Sequence, residues 1–253
     1  MIGSQKVVAS IEARMSSTRL PGKILADIGG KPVIGHLVDR LKMCSTVDDI
    51  VIATTTNKSD DKLVEWADNN HVPCFRGSED DVLQRVLDAH KYMESDIIVE
   101  ITGDCPFTDP DIVDVAVETF RVNDCDYLTN CEIQSAPPGL FVQVFTLESL
   151  IEIGQTVLDP AVREHVSLYY YENPQKYQIH HLMSSPKWKL PLDTRIYLDY
   201  PEDLDFLRAV HSYFSEQDIV TYGANELVEL LNARPALLDI NRHLTDIAIR
   251  YDS

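Results

Sequence analysis

The first half of the chain alternates short apolar runs with longer stretches of helical spacing. Residues 6–11 (KVVASI), 49–54 (DIVIAT) and 96–101 (DIIVEI) are apolar and β-branched on consecutive positions, the pattern of buried strands. Between them, residues 32–43 place Val33, Ile34, Leu37, Val38 and Leu41 on one helical face. Helices are also predicted over 60–69, 80–92 and 109–120, the last starting on acidic cap residues. Strands alternating with helices of this length imply βαβ units, and so a three-layer α/β/α fold on a mostly parallel sheet.

The second half is less regular. Its pattern predicts strands at 140–145, 177–183 and 195–198, and helices at 148–153, 160–171 and 201–213. Pro201 suits the first position of the last helix. The run Tyr169, Tyr170 and Tyr171 fits either core or interface. These short strands predict a small β-rich arm, at about 130–190, inserted in a single domain spanning 1–253.

Composition narrows the function. A chain of 253 residues, 44% of them hydrophobic, can bury one sizeable core. Its net charge of -19 speaks against nucleic acid or an anionic membrane as partner, since both require clustered positive charge. No apolar run reaches the roughly 20 residues that span a bilayer. The first residues lack a signal peptide's apolar stretch, and the five cysteines show no CxxC spacing. The expectation is a cytoplasmic protein with free thiols.

In so acidic a chain, the cations of residues 13–23 (ARMSSTRLPGK) carry weight. The stretch follows the first strand, at the end of the sheet where open α/β folds bind ligands. Arg14, Arg19 and Lys23 supply charge, while Ser16, Ser17, Thr18 and Gly22 can bring N–H groups to phosphate oxygens. An ordinary polar surface loop would have the same composition. Neither GxGxxG nor GxxxxGK[ST] is present, which removes the main support for dinucleotide and P-loop readings. Asp104 and Asp199 each follow a predicted strand. Two such carboxylates, with triphosphate oxygens and waters, would suit octahedral Mg²⁺. Asp199 equally suits an N-cap for the helix at Pro201, and Asp104 a turn before Pro106. Glu202 and Asp203 read as first-turn charges favouring the helix dipole.

An ordered set of motifs covers nearly the whole chain: IEARMSSTRLPGK (11–23), GGKPVIGHLVDRL (29–41), DDIVIATTTN (48–57), FRGSEDDVLQR (75–85), ITGDCPFTDPDIVD (101–114), REHVSLYYYENP (163–174), YLDYPEDLDF (197–206) and RPALLDINRH (234–243). Together they resemble the CMP-sugar cytidylyltransferases, among them the Kdo and acylneuraminate enzymes, and most of all the spore-coat-polysaccharide (SpsF-like) branch. The resemblance implies a Rossmann-like nucleotidyltransferase fold and a homodimer. It implies CMP transfer from CTP to an acidic sugar of ulosonic or nonulosonic type, or a related anionic acceptor, with release of pyrophosphate. It gives catalytic roles to Arg14, Lys23 and Asp104, and Mg²⁺ binding to Asp104 and Asp199. It places the backbone near Ala13, Ser78, Arg85 and Thr102 against the nucleotide, although Arg85 also fits a solvated helix charge. Thr102 stands where Kdo enzymes carry Gln, which favours the spore-coat branch.

Acceptor recognition is expected from Phe141, Gln143, Arg163, Glu164 and His165. Arg163 could hold an anion bidentately, and His165 could be a hydrogen-bond donor or a satisfied core residue. Relatives usually read DGLDVEVF where this chain reads PGLFVQVF (138–145), so Phe141 and Gln143 replace an acidic pair. That change predicts an altered pocket, for a more apolar or more anionic acceptor. Two rival functions remain: a glycosyltransferase with a DxD motif at 109–111 or 124–126, and a non-catalytic nucleotide or sugar sensor.

Overall fold

The computed structural model describes residues 5–133, 136–185, 188, 190–191 and 194–245. Strand β1 (Val7–Glu12) shows why the centre forms as it does. Val7, Ala9 and Ile11 enter one apolar cluster, with helices on their side of the sheet. Val8 enters a second cluster on the opposite side. Both faces are thus covered, as a continuous apolar run requires.

β1 pairs in parallel with β4 (Asp49–Thr55) and with β6 (Ile97–Thr102). β4 pairs in turn with β5 (Cys74–Gly77). The chain therefore builds outward from β1 to β5 and then returns to the other side of β1. That reversal opens a crevice at the carboxyl ends of β1 and β6. The full order is β5-β4-β1-β6-β8-β7-β9, with β8 (Gln143–Thr146) antiparallel to both β6 and β7 (Tyr127–Thr129). β9 (Ile179–His181) closes the edge, parallel to β7. β8 and β9, from the stretch expected to form an arm, are thus hydrogen-bonded members of the one sheet. Residues 134–135, 186–187 and 189 of that stretch lie outside the described residues. A two-stranded hairpin, β2 (Asp27–Ile28) and β3 (Lys31–Pro32), stands apart.

Helices α1 (Val33–Leu41), α2 (Asp61–Asn69) and α4 (Pro110–Val122) pack on the Val7 face. Helices α3 (Val82–Tyr92), α5 (Leu147–Thr156), α6 (Pro160–Glu164) and α7 (Leu168–Glu172) pack on the Val8 face. A third cluster joins α8 (Pro201–Ser215) and α9 (Ala224–Ala233) to Ile28, Leu140, Ile196 and Leu198. No helix among the described residues is long and apolar enough to cross a membrane.

The departures from the sequence expectation have local causes. The strand expected at 140–145 begins only at Gln143, because the Asn130 side chain binds Leu140 O and Val142 N and takes the place of a ladder. The helix expected at 160–171 breaks at His165, whose backbone is extended, and resumes at Leu168. The stretch 195–198 forms no ladder strand; Ile196 N–H reaches Pro138 O and Leu198 N–H reaches Asp104 O instead. Helix α9 was not anticipated, although Leu227, Val228, Leu230 and Leu231 carry its buried stripe. Of the run that fits either core or interface, Tyr170 is wholly buried and stacks on Tyr127 at 4.9 Å. All five cysteines are free.

Candidate active site

The loop after β1 is shaped by its own hydrogen bonds. Met15 N–H donates to Asp60, a fully buried carboxylate that also accepts from Thr54, Thr55 and the Thr55 amide. Burial pushes the Asp60 pKa up, but these donors outweigh it and hold it below the ordinary carboxylate range. The loop closes where Gly22 N–H reaches Met15 O at 3.0 Å. Gly22 has φ 74, a left-handed conformation that costs glycine nothing, and it turns Lys23 back into the crevice.

Lys23 is the hub of the site. Its ammonium donates to Asp104 Oδ2 at 2.9 Å, Asp199 Oδ1 at 2.6 Å and Leu198 O at 2.7 Å. Arg19 takes the other Asp199 oxygen at 2.9 Å. The bond from Leu198 N–H to Asp104 O brings these two strand ends together. Burial lowers the lysine pKa, yet the two aspartates raise it on balance. Burial raises the Asp104 pKa, and Lys23 more than reverses that.

This convergence tests the fit of a divalent cation. Three oxygens, two of them carboxylate, already surround one positive charge, a donor set that suits a hard cation. Asp104 and Asp199 are only two carboxylates, and among the described residues no group of three or more His, Cys, Asp or Glu forms a metal cluster. A metal here would draw its remaining ligands from triphosphate oxygens and water, with Lys23 released towards the phosphates. Asp199 does not cap the following helix; Asp203 accepts from the Asp199 and Tyr200 amides. Asp203 stands in the first turn of α8 as expected, but it is fully buried. It is forked by Arg195 at 3.1 and 3.2 Å and bonded by Asn241 at 2.9 Å. The local sequence offered a helix start; only the C-terminal packing revealed this support.

A cavity of about 240 Å³ opens at the crevice. Ala13, Arg14, Ser17, Arg19, Lys23, Arg85, Thr102 and Asp104 are among the residues that line it. Arg85 is only 3% exposed, which rules out a solvated charge. It is fixed to Ser78 O and Glu79 O, and its Nε has no hydrogen-bond partner. Burial lowers its pKa, with nearby Glu12 opposing. Ser16 bonds Glu79 at 2.6 Å, and Arg14 lies 3.6 Å from the same carboxylate. Ser78 uses its hydroxyl to accept from Asp81 N–H, outside the cavity lining. Glu79 and Asp60, which the sequence reading missed, thus hold the loop.

A second cavity, of about 420 Å³, adjoins the first. Glu12, Thr102, Glu164 and His165 line both. Phe141 and Gln143 line the second, so four of the five expected acceptor residues reach the combined site. Arg163 does not. Its guanidinium is forked by Asp81, the cap of α3, at 2.8 and 2.5 Å, and it also bonds Gly154 O. Arg163 therefore ties α6 to α3, an ion pair of partners that the sequence leaves 82 residues apart. A larger cavity of about 500 Å³, between α1 and α8, includes no strand-end carboxylate.

A family model described as Cytidylyltransferase matches residues 8–230. The chain belongs to the cytidylyltransferase family. SpsF of Bacillus subtilis, a spore coat polysaccharide biosynthesis protein, is 33% identical over 89% of this chain and 93% of its own length. The 3-deoxy-manno-octulosonate cytidylyltransferase of Trichlorobacter lovleyi is 30% identical over 67% of this chain and 62% of its own. The solved structure of a cytidylyltransferase from Leptospira borgpetersenii serovar Hardjo-bovis superimposes with a TM-score of 0.86 at 34% identity, covering 96% of this chain and 100% of that one. The resemblance to CMP-sugar cytidylyltransferases, on their SpsF-like side, thus holds along the chain, as does the Rossmann-like fold.

In this cytidylyltransferase, the second cavity has unusual electrostatics. Glu100, 5% exposed, accepts from the Ser167 hydroxyl. Burial raises its pKa to about 7, with that bond pulling the other way. A folded-state pKa above the ordinary one gives stability that is complete in acid and lost as pH rises through about 7. Glu100→Gln should therefore gain stability relative to wild type between pH 5 and 8, on the order of 2 kcal/mol. Denaturant unfolding of both proteins across that range checks it; a constant difference would refute the assignment.

Proposed function

We propose that the chain transfers CMP from CTP to an oxygen of an acidic-sugar-type acceptor and releases pyrophosphate. The observation that carries this reading is the meeting of Asp104 and Asp199 around Lys23, at the mouth of a cavity lined by Arg14, Arg19 and Arg85. The similarity to the 3-deoxy-manno-octulosonate cytidylyltransferase of Trichlorobacter lovleyi supports the acceptor class.

The acceptor oxygen attacks the α-phosphorus as the bond to the bridging β-phosphate oxygen breaks, so pyrophosphate leaves with that electron pair. Arg14, Arg19 and Lys23 can bear the charge of the leaving group. Arg85, rigid and with one N–H unsatisfied, faces the nucleotide from α3. His165 is kept neutral by burial and sits where the cavities meet, able to accept the acceptor hydroxyl's hydrogen bond. Mg²⁺ bound at Asp104 and Asp199 would supply charge neutralisation at the phosphates. Catalysis is positioning and electrostatics.

The glycosyltransferase reading loses its motif. Asp109 caps α4 and bonds the Ala224 amide, and Asp126 accepts from Gln178 N–H. Pyrophosphate release from the four nucleoside triphosphates, each with 3-deoxy-manno-octulosonate and with an N-acetylneuraminate-type acid, tests the proposal. CTP should exceed the other three by at least about ten-fold, the worth of one good hydrogen-bonded base edge. Equal use of all four would overturn the cytidine assignment.

A further inference from the structure

Asp104 and Asp199 have their countercharge in Lys23 and Arg19. The carboxyl groups of the second cavity have none of comparable quality. Glu12 and Glu100 stand on the neighbouring strands β1 and β6, on the same face of the sheet; Ser10 is opposite Glu100 in register, and Glu12 opposite Thr102. Glu12 Oε1 is buried without a hydrogen-bond partner, and Glu12 lines both cavities. Glu132 and Glu164 add two more carboxyl groups, Glu132 with His181 at 4.0 Å. Among the described residues lining this cavity there is no lysine or arginine. Arg85 faces Glu12 only from the side of the first cavity. Burial keeps His165 neutral, so it supplies no charge.

We infer that this second cavity takes the end of the acceptor remote from the reacting oxygen, and that this end carries a protonated amine among hydroxyls. The acceptor is then an amino sugar whose anionic group turns towards Arg14 and Arg85. The inference rests on the acceptor role given to this cavity under CMP transfer. An ammonium brings three donors and one positive charge to a buried carboxyl pair in which Glu12 Oε1 lacks a donor and Glu100 has the uncharged Ser167 hydroxyl. A carboxylate placed there would add a like charge in a medium that screens poorly. Phe141 and Tyr171 also line the cavity, and aromatic rings suit a cation. The volume of about 420 Å³ lies within the usual range for small-ligand sites. The pocket thus stays acidic despite Phe141 and Gln143, because Glu12, Glu100, Glu132 and Glu164 enter it from other segments.

The test uses three sugars of similar size: glucosamine, N-acetylglucosamine and glucuronate. Each is titrated by ligand-observed NMR into the whole protein holding CTP without divalent metal, so that no turnover occurs and the first cavity is filled. Glucosamine should bind at least about ten-fold more tightly than the other two, the strength of a charge-assisted contact. Glu100→Gln and Glu132→Gln, both near-isosteric, should each erode that preference, and the double variant should abolish it. Equal binding of the three sugars, or a preference that survives the double variant, overturns the inference. Calorimetric titration of CTP into the same samples separates the two readings. Failure to bind CTP would sink nucleotide transfer, while the sugar titrations, repeated on the free protein, would still decide the cavity.

Discussion

Asp104→Asn should reduce pyrophosphate release from CTP by at least about a thousand-fold while leaving the fold intact, as expected when a group acting on developing charge is removed. Asp104 lies at the end of β6, and its carboxylate meets Lys23 at 2.9 Å beside Asp199. An amide has nearly the same shape and retains one acceptor oxygen for Lys23, but it carries no charge for a divalent cation. The thermal midpoint should therefore move little, because the carboxylate is at the edge of the cavity rather than in the core. Binding of CTP without metal should persist as well. Full turnover in this variant would remove metal-assisted transfer at this site, and a collapsed thermal midpoint would show Asp104 to be structural.

Asp203→Ala should have the larger effect on stability. Asp203 is fully buried and Arg195 is 4% exposed, and the pair is forked. Removing the carboxylate takes from a buried guanidinium the countercharge that forks it, which costs about 3–5 kcal/mol. For a chain of this size that is a fall in Tm on the order of 10 °C. The change also frees the Asp199 and Tyr200 amides, which Asp203 holds at 3.0 Å, so turnover should fall along with stability. A double variant, Arg195→Met with Asp203→Leu, separates the two effects. It should recover much of the stability, since apolar replacement of a buried pair is often neutral. It should not recover activity, because the Asp199 backbone would still lack its anchor. A double variant as active as wild type would show that Asp203 serves stability alone.

The elements around the site differ in how far local sequence fixes them. β1, β4 and β6 are runs of β-branched residues, and α1 and α4 carry clear apolar stripes, so their existence follows from period alone. α8 starts at Pro201, as its proline signals. Residues 140–142 and 195–198 do not form strands, because their backbone bonds go to single distant partners, Asn130, Pro138 and Asp104. No local period encodes such a partner. The cationic loop was legible for a different reason: Arg14, Arg19, Lys23 and Gly22 are adjacent in sequence, and their place after a strand fixes which end of the sheet they occupy.

The sequence by itself therefore determined the α/β class, the crevice end of the sheet, the basic loop, the two aspartates and the family. Each rests on neighbours along the chain or on an ordered series of motifs. Tertiary structure alone decided how charges pair. It gave Lys23 to Asp104 and Asp199, 81 and 176 residues away. It gave Arg163 to Asp81 instead of to an anionic ligand, and buried Asp203 against Arg195. It also set Glu12 and Glu100 on one face of the sheet, lining the second cavity. The physical reason is that a charge's partner and its solvation depend on which distant segments fold against it, and electrostatic energy is set by those distances and not by sequence spacing.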